Sequence, residues 1–262
     1  MNAQLVRRSP CQGLAMRLMG EAAVLRCSGA LWLPELGVLA VADLHLEKGS
    51  AFAVRGQMLP PYDTRATLAR LEAEVADLTP RQVVFMGDTF HDGDGAGRLA
   101  GDDRARLETM AGRVDLVWIA GNHDREGAQG LPGRTVAEIG AGAITLVHEP
   151  TLGEAPGQAA GHLHPCARVA AHGRSVRARC FLTDGERLIL PAFGAYTGGL
   201  NVRDEAYAGL FRQTPWAGMI GRDRVHAVAW GKLLPEGADQ FRRKKREASK
   251  PVSMAMRTAR TP

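Results

Sequence analysis

The chain is poor in aromatic residues, which make up 5% of its 262 positions. Its core must therefore rest on Leu, Val, Ile and Ala rather than on packed rings. No stretch approaches the ~20 consecutive apolar residues of a membrane span, so no membrane partner is expected. Arg7-Arg8 stands near the start, but Arg17, Glu21 and Arg26 break up the residues after it and no apolar signal segment forms. A cytoplasmic location is the expectation. Cysteine is scarce as well: Cys11, Cys27, Cys166 and Cys180, with no C-x-x-C pair. That spacing argues against a zinc ribbon or a thioredoxin-like motif. In a reducing compartment all four are expected as free thiols. Cys166, two residues after His164, reads as a bystander.

The net charge of +5 is unevenly spread. Residues 241–262 carry eight Lys or Arg and one acid, a local charge of +7, which leaves −2 on the rest. The basic character belongs to the tail, so composition gives the folded part little support as a broad nucleic-acid surface. The reading is one domain over 1–237 and a basic tail over 238–262 without fixed structure. That tail is either a solubilising extension or a nonspecific electrostatic tether to DNA.

What the chain does have is a repeated pattern: a short apolar run, then a glycine or a polar residue of ligand type. Val38 to Ala42 runs into Asp43, Gln82 to Met86 into Gly87-Asp88, Val114 to Ile119 into Gly121-Asn122-His123-Asp124, and Ala143 to Val147 into His148. Each run reads as a buried strand. Helices are expected over 62–78, where Leu68, Leu71, Val75 and Leu78 share a face before Pro80, and over 102–113. Strands alternating with helices imply a mostly parallel sheet, with ligands beyond the carboxyl ends of its strands. The first ~35 residues, a hairpin around 183–186 and a run over 225–234 add further strands. The expectation is two packed sheets with helices outside.

Six of the eight histidines sit at these strand ends: His45, His91, His123, His148, His162 and His164. Scattered core histidines would not collect this way. Two divalent cations side by side can clamp a phosphate and activate water. A bridging carboxylate, for which Asp88 is the candidate, would hold them together. Imidazoles and an amide oxygen would complete the shells while leaving net positive charge for an anionic substrate. In Asp43-Leu44-His45 and His162-Leu163-His164, an extended backbone would put both side chains on one face.

The order D-x-H, G-D, G-N-H-D, H, G-H-x-H over residues 43–164 resembles the calcineurin-like metallophosphoesterases. That resemblance implies an α/β fold, a four-layer α/β/β/α sandwich. It implies one cation on Asp43, His45, Asp88 and His164, and another on Asp88, Asn122, His148 and His162. His123 would protonate the leaving group or stabilise the transition state, oriented by Asp124. His91, the stretch Arg177 to Phe181 and the stretch Pro191 to Gly199 further resemble the bacterial DNA-ligase-associated, DNA-damage-response metallophosphoesterases. Those imply a manganese-dependent phosphodiesterase and DNA endonuclease in DNA repair, with single-stranded DNA as partner and a functional association with a ligase, a helicase and an exonuclease. Iron or zinc would suit the same ligands.

His91, Arg177, Arg179 and Tyr196 are the substrate-binding candidates. Each has a plainer reading: a core histidine, a solvated strand face, a Gly-rich turn. A nucleotide or small-molecule phosphatase is the alternative function, and a non-catalytic scaffold of the same fold a third.

Overall fold

The computed structural model describes residues 11, 13–125, 127–171 and 174–237. The tail over 238–262 and His172 lie outside the described residues.

Two sheets form the body. The first runs in chain order: β1 (Leu14–Leu18), β2 (Glu21–Leu25), β3 (Leu31–Leu33), β4 (Val38–Ala42), β5 (Gln82–Met86), β6 (Asp115–Ile119) and β7 (Arg134–Val136). Pairing is antiparallel up to β4 and parallel from β4 to β7. The second sheet has nine strands: β8 (Glu138–Ala141), β9 (Ile144–Val147), β10 (Gln158–Ala160), β11 (Pro165–Ala171), β12 (Arg174–Thr183), β13 (Leu188–Ile189), β14 (Leu200–Asn201), β15 (Trp216–Ile220) and β16 (Val225–Ala229). The hairpin expected around 183–186 is the antiparallel pair β12–β13. The run over 225–234 stays extended only to Ala229, then tightens into a 3₁₀ turn at Trp230–Lys232.

Strand alternation sorts the apolar residues into two cores. Val38, Ala40 and Ala42 face the second sheet, packing with Ile144, Leu146, Ala159, Phe181 and Leu188. Leu39 and Val41 face the other way, onto Leu68 and Leu71 of α2 (Asp63–Leu78) and Leu107 and Met110 of α4 (Gly101–Ala111). Two short helices, α1 (Lys48–Val54) and α3 (Gly95–Arg98), come after β4 and β5 in the chain. A strand with both faces buried must be apolar throughout, which is why these runs stand out in the sequence. Phe85 stacks on Trp118 with centroids 3.9 Å apart, one of the few aromatic pairs in an aromatic-poor core.

Helix α2 ends at Thr79, in the left-handed conformation, just before Pro80. It is fastened to the sheet edge by Arg26, whose guanidinium meets Glu74 and Asp77, each at 2.7 Å. Removing both Glu74 and Asp77 would strand a buried cation, at a cost of about 3–5 kcal/mol. The outer face of the second sheet is covered differently. Among the described residues, Tyr207, Leu210 and Leu233 from irregular chain and two 3₁₀ turns pack there.

The cysteine expectation is corrected. Cys11 and Cys27 form a disulfide, with Cα atoms 5.8 Å apart, inside the range that a bridge requires. The antiparallel register of β1 and β2 sets Leu14 opposite Leu25 and so brings the flanking cysteines together. Cys166 and Cys180 are buried free thiols.

Candidate metal centre

Strands β4, β5 and β6 end level with one another: Ala42 pairs with Met86, and Met86 with Ile119. Asp43, Asp88 and the Gly121-to-Asp124 turn therefore emerge side by side. In the second sheet Val147 pairs with Ala160, so His148 and Gly161-His162 emerge together too. A bridge between Ala42 and Ala192 joins the two sheets at this end, with Phe193 N–H donating to the Ala42 carbonyl.

The backbone departs from the extended form expected for the D-x-H and H-x-H segments. Asp43, His45, Asp88, His162 and His164 all have positive φ, between 43° and 68°. Non-glycine residues rarely adopt that region, and outliers of this kind gather at functional sites. The convergence of Asp43 with His45, and of His162 with His164, arises from alternating left-handed residues rather than from a pleat. Gly87 has a backbone reason to be glycine: φ is 73°, and a Cβ there would fall 2.2 Å from His148 Nδ1.

The side chains form two overlapping groups. Asp43, His45 and His164 present ligand atoms within 4.8 Å of one another, and so do Asp88, His148 and His162. Asn122 joins the second group, its Oδ1 2.8 Å from His148 Nε2 and 3.0 Å from His162 Nδ1. Asp88 faces both groups, with Oδ1 3.4 Å from His148 Nε2 and Oδ2 3.9 Å from His45 Nε2.

These residues fit cations for three reasons. Asp43 and Asp88 are buried carboxylates, 0% and 2% exposed, and among the described residues their ion-pair contacts are all with histidines. A buried carboxylate without a cation is costly. His45 does not supply that charge readily. Burial first, then the neighbouring His164, His123 and His91, drives His45 down to about 2, so its ring is neutral and its lone pair free to ligate. Finally, His148 Nδ1 lies 3.1 Å from the Met86 carbonyl. In the tautomer that donates there, Nε2 and Asn122 Oδ1 turn two lone pairs toward each other, an arrangement a cation resolves.

His123 stands at the mouth. Its Nδ1 is 2.9 Å from the His91 carbonyl, its backbone N–H donates to Asp88 Oδ1, and its Nε2 lies 3.9 Å from Asp88 Oδ2. At Nδ1 the His91 carbonyl stands where Asp124 was expected. Asp124 instead accepts the Phe90 and Gly121 N–H groups through its two oxygens. Burial pushes it up to about 6.

The His91 ring lies 5.6 Å from that of His45 and 5.7 Å from that of His123. It forms a third grouping with them, made of histidines alone. Arg179 is largely turned inward and donates to the Ala192 carbonyl; Arg177 donates to the Gly199 carbonyl and meets Glu236. Both grip the 191–199 stretch that carries the exposed Tyr196. Sequence reasoning missed two further groups. Arg70 stacks on Phe193 and donates to its carbonyl from the helix side, and Lys48 Nζ donates to the Tyr196 carbonyl. Lys48 lies three residues after His45, a spacing that could have drawn attention to it.

Residues 36–166, half of the chain, match the calcineurin-like phosphoesterase family. The crystal structure of Pseudomonas putida nuclease MPE is similar: 28% identity, TM-score 0.62, covering 83% of this chain and 100% of that one. YfcE, a phosphoesterase from E. coli, aligns at 19% identity and a TM-score of 0.34 over 76% of this chain and 96% of its own. No curated protein matches the chain in sequence.

Proposed function

The chain belongs to the calcineurin-like phosphoesterase family, a metal-dependent hydrolase of phosphoester bonds, and from that premise we propose that it is a manganese-dependent phosphodiesterase that cuts single-stranded DNA internally during repair. The observation that carries this reading is the openness of the centre. Asn122 and His123 are exposed beside buried Asp43 and Asp88, which suits a polymer lying across the site better than a small molecule enclosed in it. The likeness to a nuclease, which spans all of that protein and 83% of this chain, supports the same choice of substrate.

Held by Asp43, His45, Asp88 and His164 on one side and by Asp88, Asn122, His148 and His162 on the other, a pair of divalent cations would polarise the phosphoryl oxygens and activate water. The chain's own residues do the rest. Asp88 would serve as a ligand to both cations. His123, pinned through Nδ1, turns Nε2 toward the reacting phosphate, where it can give a proton to the departing oxygen and hydrogen-bond the developing charge. Asp124 fixes the loop that carries the His91 carbonyl. His91 contacts a phosphate oxygen, and Arg177 and Arg179 hold the stretch that offers Tyr196 to a base. Nitrogen and oxygen donors without thiolate suit manganese, iron and zinc alike; the family resemblance favours manganese. It also favours a cytoplasmic enzyme that works with a ligase, a helicase and an exonuclease.

The test uses metal-stripped protein, manganese, bis-p-nitrophenyl phosphate and circular single-stranded DNA. Cleavage of both, with the circle opened, supports the reading. Cleavage of the ester alone moves the substrate to nucleotides or small phosphoesters.

A further inference from the structure

Outside the ligand cluster, the surface with the most unexplained chemistry is the face of α1 and the link after it. The root of α1 is fixed. Glu47 accepts from Thr64 and Ser50, and Asp63 Oδ2 accepts the Gly49 N–H. Beyond that root the chain is exposed from Ala53 to Met58 and again from Pro60 to Tyr62. Seven large hydrophobic residues are exposed among those described, and three of them are here: Val54 at 77%, Met58 at 86% and Tyr62 at 63%. A fourth, Tyr196, is tied to this face through its carbonyl on Lys48.

Rings and cations lead from the centre onto this face in an unbroken series. His123 neighbours His91 at 5.7 Å; His91 neighbours Phe52 at 5.6 Å; Lys48 Nζ sits 5.9 Å from the Phe52 ring. Residues 48–62 carry two cations, Lys48 and Arg55, and no acid. Apolar rings and side chains interleaved with cations suit unpaired bases and the phosphates between them. An anionic polymer that has one phosphate at the centre must leave in some direction, and here the charge is of the opposite sign.

We propose that α1 and the link over residues 55–62 form the track for the single strand flanking the scissile phosphate, with Lys48 and Arg55 on its phosphates and Phe52, Met58 and Tyr62 against its bases. The track rests on the phosphodiesterase reading above and names the path of that substrate. It makes specificity for DNA over small esters a property of α1 and the link after it rather than of the ligand cluster.

The test compares wild type with K48Q/R55Q and M58S/Y62S on single-stranded DNA and on bis-p-nitrophenyl phosphate. Both double variants should lower kcat/KM on DNA at least tenfold more than on the ester. K48Q/R55Q should also flatten the dependence of log KM on log salt by about 0.7 per lost contact. If wild type cuts DNA and the ratio of the two activities is unchanged in both variants, the track is wrong while the nuclease reading stands. If wild type cuts the ester and leaves DNA intact, both fall together.

Discussion

His123 Nδ1 lies 2.9 Å from the carbonyl oxygen of His91, so the ring at the mouth of the centre is aimed by the backbone of a neighbouring strand-end loop. A ring held this way can be removed without dismantling a ligand shell. His123→Ala should lower kcat about 10²–10⁴-fold, the range for a lost proton donor, with metal content retained. Metal analysis beside turnover checks this, and equal loss of both would make His123 a ligand.

Asp124 holds the same loop by accepting two backbone N–H groups. Asp124→Asn puts an amide donor where one of those acceptors was. The variant should lose about 1–3 kcal/mol of stability, the cost of leaving a buried group unsatisfied. Denaturant unfolding reads it, and unchanged stability would mean the loop is held by other contacts.

Arg70 and Arg179 grip the 192–193 carbonyls from opposite sides, and the same segment returns hydrogen bonds to Ala42 and Asp43. Arg70→Met should weaken manganese binding through Asp43 while the fold is kept. Calorimetric titration should show one affinity reduced more than the other; two unchanged affinities would reduce Arg70 to a packing role.

Cys11 and Cys27 are paired and Cys166 and Cys180 are not. Alkylation of unfolded protein without reductant should label two thiols, and with reductant four. Four labelled thiols without reductant would show that the bridge does not form.

The centre was legible because its residues come directly after strands with both faces buried. Val38 to Ala42 and Val83 to Met86 admit only apolar side chains, so the polar residues that follow them stand out. Composition concealed what depends on register. The Cys11–Cys27 bridge depends on the pairing of Leu14 with Leu25, which sequence spacing does not reveal. The left-handed turns at Asp43, His45, His162 and His164 look like extended D-x-H and H-x-H until φ is known. Asp124 sits next to His123 in the chain and invites the role of its partner, yet the turn points it at Phe90 and Gly121. Lys48 was hidden because a lone lysine on a short helix has no pattern of its own.

The central claim is that one carboxylate serves two cation sites, and the most direct measurement is the manganese content of metal-stripped, reloaded wild type and Asp88→Ala. Two ions per wild-type chain and none retained by Asp88→Ala, with hydrolysis of bis-p-nitrophenyl phosphate lost, is the expected result. One ion in wild type, or an Asp88→Ala variant that keeps most of its activity, would contradict it.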